Sequence, residues 1–280
     1  MTELGVFARV FPAGPAPDVA AAIRAAGFTV TQLNLAALGR ATLDTTLTAG
    51  QARQISGAFT AAGVRIWGLS GTYNAIDPDE RARAAATGAC RRVIARAPDL
   101  GAEVVTLCTG TQDPDNMWRA HPGNTSPAAW HSLRATLDAL LTAAAGAQVR
   151  LGIEPEPGNV IRDAPAAHRL LTELGADARH LAIVLDPANL LEVATLPRQQ
   201  QILEHAFGLL GQHVAAVHAK DVVAEGYAAP GIGGMDYDLV MRLHAGLPHT
   251  VPVIAQDLTA GDATRVSRFL ADHAAAWATS

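Results

Sequence analysis

The sequence has little of several features that mark particular classes of protein. Its 280 residues include only 2 cysteines, Cys90 and Cys108, and they do not form a CxxC pair. This excludes a disulfide framework and a thiolate metal site, so we expect both to be small buried residues. No apolar run is long enough to cross a bilayer, and no basic segment followed by an apolar one opens the chain. We therefore expect a cytoplasmic protein with no membrane partner.

Positive charge is also scarce. The chain has 21 Lys and Arg residues against 26 Asp and Glu residues, which gives a formal net charge of −5. Proteins that bind the phosphate backbone need a basic surface, so nucleic acid is not an expected partner. The hydrophobic fraction of 49% is high enough to fill a large core in a chain of this length.

What the sequence does contain is a regular alternation of apolar, strand-like segments with helical ones. Strands are predicted at residues 4–11, 28–35, 64–70, 102–108, 149–156, 181–186, 214–221 and 251–257. Helices are predicted at about 17–26, 43–62, 78–97, 128–145, 163–174, 198–210, 236–246 and 260–278. This alternation predicts a parallel α/β sheet covered on both faces, and eight β/α units in this length predict one (β/α)8 TIM-barrel domain over residues 1–280. An open, doubly wound sheet is the alternative, but no Gly-rich phosphate loop follows the first strand.

The last four predicted strands each end in polar residues that suit a metal ion. A carboxylate at the end of an apolar strand is costly to bury unless it has a partner, often a metal. Because side chains alternate along a strand, one polar residue from each strand points into the barrel near its carboxyl end. These residues are Glu154, Asp186, His218 and Gln256. Oxygen and nitrogen ligands of this kind predict a divalent ion, namely Mn²⁺, Mg²⁺, Co²⁺ or Zn²⁺.

Each of these residues also has a structural interpretation when it is taken alone. His218 suits a buried core histidine, and Asp186, which precedes a proline, suits the start of a turn. Gln256 suits a hydrogen-bonding neighbour of the ligands that does not touch the ion.

The same motifs resemble those of the xylose-isomerase-like TIM-barrel superfamily, which includes sugar phosphate isomerases and epimerases. The matching segments are residues 152–157, 185–189, 218–221 and 251–257. The resemblance implies that Glu154, Asp186 and His218 bind a divalent metal together with a fourth residue. It also implies a homo-oligomer, by analogy alone.

This chain departs from the family pattern at two of the implied site positions. Gln256 stands where relatives have a glutamate, and in similar epimerases the first and last glutamates are the bases on the two faces of the substrate. Asn189 stands where several relatives have a histidine. The first change removes one of two bases, which favours chemistry from a single face.

A divalent ion with open coordination positions predicts chemistry on a ketone with a neighbouring hydroxyl. The ion would stabilise the enediolate formed when a C–H proton is removed. Glu154 or Glu156 is the expected base, and Lys220 or His121 the expected proton donor. We expect a lowered pKa for Lys220 beside a dication, although a plain salt bridge with Glu156 or Asp221 is the alternative.

The segment from Thr109 to Pro127 is too long for a simple connection and predicts a lid over the site. Its Trp118, with Trp67 and Phe11, is a candidate apolar floor for a sugar, although core packing is the favoured interpretation of these aromatics. The expected substrate contacts are Trp118, His121, Asn189 and Arg9.

The predicted function is therefore a metal-dependent sugar or polyol isomerase or epimerase that acts through an enediolate on a keto-sugar or sugar phosphate. A lyase of the inosose-dehydratase kind is the alternative, because it uses the same metal and expels water. A phosphodiesterase of the abasic-site endonuclease kind would need more histidine ligands and a basic groove, which the sequence lacks. A binding protein without activity is the remaining alternative, because Gln256 replaces a base.

Overall fold

Eight parallel strands close into a barrel in the computed structural model, which describes residues 2–277. The strands are β1 (Leu4–Phe7), β2 (Val30–Leu33), β3 (Arg65–Ser70), β4 (Val104–Leu107), β5 (Arg150–Ile153), β6 (Leu181–Leu185), β7 (Val214–Ala219) and, after the hairpin strands β8 (Asp221–Val223) and β9 (Gly226–Ala228), β10 (Val253–Ala255). They lie in chain order around the barrel, and β10 pairs with both β7 and β1. The predicted TIM barrel is confirmed.

Helices cover the outside of the barrel. They are α1 (Ala16–Ala25), α2 (Ala49–Ala61), α3 (Glu80–Ile94), the short α4 (Ala97–Leu100), α5 (Pro127–Ala147), α6 (Ala164–Leu174), α7 (Gln199–Leu210), α8 (Tyr237–Ala245) and α9 (Ala263–Trp277). Polar side chains fix several of their starts by accepting free backbone N–H groups, as Asp79, Ser126, Asp163 and Asp236 do. Within residues 2–277, none of the helices has the length and apolar character needed to span a bilayer.

The predicted elements differ from the observed ones mainly at their ends. The helix predicted from residue 43 begins only at Ala49, because Thr48 and Gln51 form a capping box there. The first strand stops at Phe7 and turns into a short 3₁₀ segment, Ala8–Val10. The antiparallel hairpin formed by β8 and β9 differs from the prediction, which has a single strand over residues 214–221.

Apolar side chains fill the lower part of the barrel. The inner cluster consists of Phe7, Val30, Trp67, Val104, Ala182, Val184, Ala215, Ala216 and Ile254. Only a glycine fits at position 152 among them, because a Cβ there would lie 2.7 Å from a methyl group of Val104. Trp67 is only 2% exposed within this cluster, and Phe11 is buried between sheet and helices. Neither is among the residues that line the cleft above the barrel, so core packing, the favoured interpretation of these two aromatics, is confirmed. The closed lower half leaves room for a site only above it, at the carboxyl ends of the strands.

Candidate active site

Three side chains meet at the carboxyl ends of adjacent strands. Glu154 follows β5, Asp186 follows β6 and His218 lies on β7. Each offers one ligand atom, and these atoms all lie within 4.8 Å of one another. Asp186 and His218 are completely buried, while the Glu154 side chain keeps 21% of its surface exposed. Two carboxylates this close in a buried site need positive charge between or beside them.

Gln32 on β2 fixes the orientation of the His218 ring. The Nε2 atom of His218 lies 3.1 Å from Oε1 of Gln32, which accepts its proton. The amide nitrogen of Gln32 in turn donates to Thr106 Oγ1 at 3.1 Å and to Ser70 Oγ at 3.4 Å. With its proton on Nε2, His218 presents the lone pair of Nδ1 toward the two carboxylates.

Gln32 has no predicted role. The signal available was a buried amide within the apolar segment 28–35, where an unpaired polar group is costly. Its partners lie on β3, β4 and β7, far away in the chain, so spacing alone did not reveal them.

The unsatisfied nitrogen of His218 provides a test of whether the residues fit a metal ion. Its Nδ1 atom is buried and has no hydrogen-bond partner within residues 2–277, although Glu154 Oε2 lies 3.2 Å away. A buried polar atom without a partner is uncommon in a folded protein. One imidazole and two carboxylates form a donor set that suits a divalent ion. Glu154, Asp186 and His218 therefore fit the predicted ion.

Gln256, the fourth predicted ligand, contacts Asp186. Its Nε2 amide nitrogen donates to Asp186 Oδ2, and its backbone N–H donates to Ala219 O at 2.9 Å. The side chain thus takes the hydrogen-bonding role that was the alternative to coordination. Coordination by its Oε1 atom stays a prediction.

Asn189 links Lys220 to Glu154 through hydrogen bonds. The Nζ atom of Lys220 donates to Asn189 Oδ1 at 2.7 Å, and the Asn189 amide nitrogen donates to Glu154 Oε1 at 2.9 Å. Nζ also lies 3.2 Å from Asp186 Oδ2 and 3.7 Å from Asp257 Oδ2. Asn189 is buried, so it acts as a bridge between Lys220 and Glu154.

The carboxylates around Lys220 govern the protonation of its amine. Burial lowers the pKa of its ammonium group, but the carboxylates of Asp186, Glu154 and Asp257 outweigh burial and raise that pKa above its usual value. Among these residues the amine is protonated, and the lowered pKa expected beside a bound dication stays a prediction.

The observed salt-bridge partners of Lys220 differ from the expected ones. It pairs with Asp186 and Asp257 instead of Glu156 or Asp221. Asp221 is buried and accepts backbone N–H groups from Val222, Gly231, Ile232 and Met235, which holds the loop after the hairpin.

Glu154 and Glu156 have opposite protonation tendencies. Burial raises the pKa of Glu154, but the nearby His218 and Lys220 outweigh it and hold the pKa below its usual value. Burial, together with the charge of Glu154, raises the pKa of Glu156 to about 8. At neutral pH Glu154 is ionised and Glu156 keeps its proton, which suits one for the role of base and the other for the role of acid.

A cleft of about 600 Å³ opens above these side chains. Its lining includes the predicted residues Arg9, Trp118, Glu154, Glu156, Lys220 and Gln256. His121 does not line it. That side chain is exposed, and its Nδ1 atom accepts the N–H of Gly123 at 3.0 Å to cap a short 3₁₀ turn. Substrate contact and proton donation by His121 stay predictions.

The predicted lid between β4 and α5 is attached to the rest of the barrel. Asn124 is buried and accepts the N–H of Gln112 at 2.8 Å, and its amide nitrogen donates to Gly158 O at 2.9 Å. Asp113 accepts the N–H groups of Asp115 and Asn116. These bonds place the segment beside the loop after β5, and its movement as a lid stays a prediction.

Comparisons with known proteins agree with the fold. The family described as xylose isomerase-like TIM barrel matches residues 20–244. The structure of 3-keto-D-glucoside 4-epimerase from E. coli has a TM-score of 0.77 and 16% identity, covering 97% of this chain and 100% of that chain. L-ribulose 3-epimerase has a TM-score of 0.71 and 17% identity, covering 99% and 93%.

A third similar structure contains an ion. It is a xylose isomerase-like TIM barrel protein from Mycobacterium smegmatis in complex with magnesium, with a TM-score of 0.70 and 14% identity, covering 99% of this chain and 98% of that chain. No curated protein gives a match to the sequence. At these identities the structural likeness shows a shared fold, while the family match covers most of the chain. This chain therefore belongs to the xylose isomerase-like TIM-barrel family.

Proposed function

We propose that this chain is a metal-dependent sugar or polyol isomerase or epimerase that acts through an enediolate. The observation that carries the proposal is the convergence of Glu154, Asp186 and His218 within 4.8 Å, beside a cleft of about 600 Å³. The similar structures include sugar epimerases and a magnesium complex, which supports the same reaction class and a bound divalent ion.

A divalent ion, when bound, polarises the carbonyl of the substrate and makes the neighbouring C–H more acidic. Glu154, Asp186 and His218 would hold it, and Gln32 keeps His218 in the tautomer that this requires. The donor set is compatible with Mn²⁺, Mg²⁺, Co²⁺ or Zn²⁺.

The residues of the cleft supply the proton transfers. Glu154 is ionised and accepts the proton from the carbon beside the carbonyl, while the protonated Glu156 returns a proton to the product. Lys220 remains cationic and stabilises the negative charge that develops on the substrate oxygens. Asn189 keeps Lys220 and Glu154 at a fixed separation because it bonds to both.

Elimination of water, as in lyases of the inosose-dehydratase kind, is a second candidate. The observation that favours it is Gln256, whose amide donates to Asp186 and has no carboxylate with which to accept a proton. Proton removal and departure of a hydroxyl group on one face need only a single base. Isomerisation on one face also needs only a single base, so the identity of the product distinguishes isomerisation from elimination.

The ligand assignment is tested by elemental analysis of Asp186→Ala after loading with Mn²⁺ and removal of excess ion. We expect the unmodified chain to retain about one ion and Asp186→Ala to retain almost none, because one of two carboxylate ligands is lost. Asp177→Ala, which removes an exposed carboxylate outside the site, is the matched control and should retain the ion. Stoichiometric metal in Asp186→Ala would contradict the assignment.

The reaction class is tested by incubating the Mn²⁺-loaded chain with a panel of ketoses, both free and as glycosides, in ²H₂O. Isomerisation or epimerisation places deuterium on a carbon next to the carbonyl, and elimination gives a product that lacks one water. If no ketose in the panel exchanges a proton, the proposal is wrong.

A further inference from the structure

The cleft has two zones of different chemistry. Its floor carries the buried polar side chains of Gln32, Ser70 and Thr106, none more than 6% exposed. Its rim carries two large exposed aromatic side chains, Trp118 at 50% and Tyr227 at 41% exposure. Polar groups at the floor suit the hydroxyl groups of one sugar ring, whereas the exposed rings offer apolar surface above it.

The two aromatics stand on either side of the candidate ion-binding residues. Trp118 belongs to the segment after β4, and Tyr227 belongs to the hairpin after β7. The strands between them, β5 and β6, carry Glu154 and Asp186 at their ends. A ligand whose reacting carbon lies beside Glu154 therefore has aromatic surface on both flanks of its outer part.

Trp118 is held in its exposed position by its own backbone. Its N–H donates to Asn116 Oδ1 at 2.9 Å, and its carbonyl oxygen packs so closely on Gly158 that a Cβ there would lie 2.2 Å away. These contacts fix the backbone of Trp118 at the edge of the cleft. An exposed indole that is fixed at the edge of a cleft is a typical ligand-packing surface.

Tyr227 is also held in place. The Nζ atom of Lys220 lies 3.6 Å from the centroid of the Tyr227 ring and occupies one face. The hairpin that carries Tyr227 is anchored by the carboxylate of Asp221, which accepts the N–H of Val222. The remaining exposed surface of the ring faces solvent and the cleft.

The other exposed large apolar residues within residues 2–277 lie on the same end of the barrel. Val193 follows β6 and Ile232 follows β7, but neither lines the cleft. They serve as comparison residues, because their side chains are as exposed as that of Trp118 but lie outside the cleft.

We propose that the substrate is a glycoside whose reacting sugar ring carries a ketone, in which that ring reacts at the floor while a second ring, of a sugar or an aromatic aglycone, packs on Trp118 and Tyr227. This inference rests on the proposed function. A cleft of about 600 Å³ lies in the range of ~300–1,000 Å³ for pockets that enclose ligands well beyond the size of one sugar ring. A single ring at the floor would leave both aromatics in water.

A sugar phosphate fits the rim less well. Arg9 and Lys220 are the cationic residues of the lining, and Lys220 is already paired with Asp186 and Asp257. One exposed arginine remains, with no helix start or second cation beside it among the lining residues. Phosphate sites usually combine several donors.

The inference is tested by calorimetric titration of the Mn²⁺-loaded chain with methyl β-D-glucoside, phenyl β-D-glucoside and glucose 6-phosphate. We expect the phenyl glucoside to bind about tenfold more tightly than the methyl glucoside, which corresponds to about 1.4 kcal/mol. Trp118→Ala should bring this ratio close to one, and Trp118→Phe should restore most of it. Ile232→Ala, which removes an exposed apolar side chain outside the cleft, should leave the ratio unchanged.

Equal affinities for the two glucosides, or a ratio that survives in Trp118→Ala, would overturn the second-ring site. Tightest binding of glucose 6-phosphate would do so as well. A tenfold ratio without deuterium exchange on any ketose would contradict the proposed function but not the second-ring site. Exchange together with equal affinities would contradict the second-ring site alone.

Discussion

Replacing Gln32 by methionine should weaken metal binding while keeping the space at the barrel floor filled. Methionine has a similar length but no acceptor for the Nε2 proton of His218, which now bonds to Gln32 Oε1 at 3.1 Å. It also has no donor for Thr106 and Ser70. The ring of His218 then loses the contact that selects its tautomer and its direction.

The size of the effect follows from the role of such contacts. Loss of a hydrogen bond that orients a metal-binding histidine typically lowers metal affinity 10–100-fold, which is about 1.4–2.8 kcal/mol. The metal-free chain should also lose stability, by about 1–3 kcal/mol, because a buried N–H group of His218 is left without an acceptor. The affinity for the metal ion and the free energy of unfolding of the metal-free chain should therefore both decrease.

The assay combines competition for Mn²⁺ against a chelating dye with denaturant unfolding of the metal-free chain. Gln54→Met is the control, because Gln54 is exposed on α2 and far from the barrel floor. We expect its metal affinity and its free energy of unfolding to match those of the unmodified chain. If Gln32→Met binds Mn²⁺ as tightly as Gln54→Met does, the tautomer of His218 does not depend on Gln32 and the reasoning fails.

Three further predictions concern other parts of the molecule. Gly158→Ala should lower the free energy of unfolding by about 1–3 kcal/mol in urea titrations, because its Cβ would lie 2.2 Å from a backbone oxygen of the preceding loop; an unchanged midpoint would show that the loop moves freely. Burial raises the pKa of Cys90 to about 12 and raises that of Cys108 as well. Both thiols should therefore react with Ellman's reagent at pH 8 only after unfolding, and fast reaction of the native chain would contradict this. Gln256→Glu places a carboxylate against Asp186, so it should lower the melting temperature of the metal-free chain and tighten Mn²⁺ binding; no change in either quantity would mean that residue 256 does not contact the site.

The fold could be predicted because each of its signals is local. Apolar strand segments and capped helices alternate along the chain, and each of the eight barrel strands lies within a predicted segment. The ends were harder to place because they depend on single contacts. Asp257, for example, has a left-handed backbone with φ of 54°, which ends the last strand two residues earlier than its apolar pattern indicates.

Part of the candidate site could also be predicted from the sequence. Strand periodicity places Glu154, Asp186 and His218 on inward faces, and the barrel then brings them together. Contacts between residues distant in sequence could not be predicted in this way. The bonds of Gln32 to His218, and of Asn189 to both Glu154 and Lys220, depend on side-chain directions that spacing does not encode.

His121 has a local contact that its position in the sequence did not indicate. A histidine in a long polar loop was expected to reach the substrate, but its ring nitrogen satisfies a backbone N–H two residues away. Local capping of this kind competes with function for the same side chain. The exposed Trp118 of the same loop does line the cleft, so composition identified the segment but not which of its residues face the site.

The amide at position 256 would change the charge that a substrate meets in the proposed reaction. Glu154 and Asp186 supply two carboxylates whose charge a bound divalent ion would neutralise, and the ammonium group of Lys220 lies 3.2 Å from Asp186. A glutamate at position 256 would offset the positive charge of Lys220, whereas Gln256 contributes a donor to Asp186. An enediolate is more negative than the ketone from which it forms, so excess positive charge in the site would stabilise it preferentially. If the proposed function is correct, the amide that removes a second base would also strengthen the stabilisation of the anion, which is what one-sided proton removal requires.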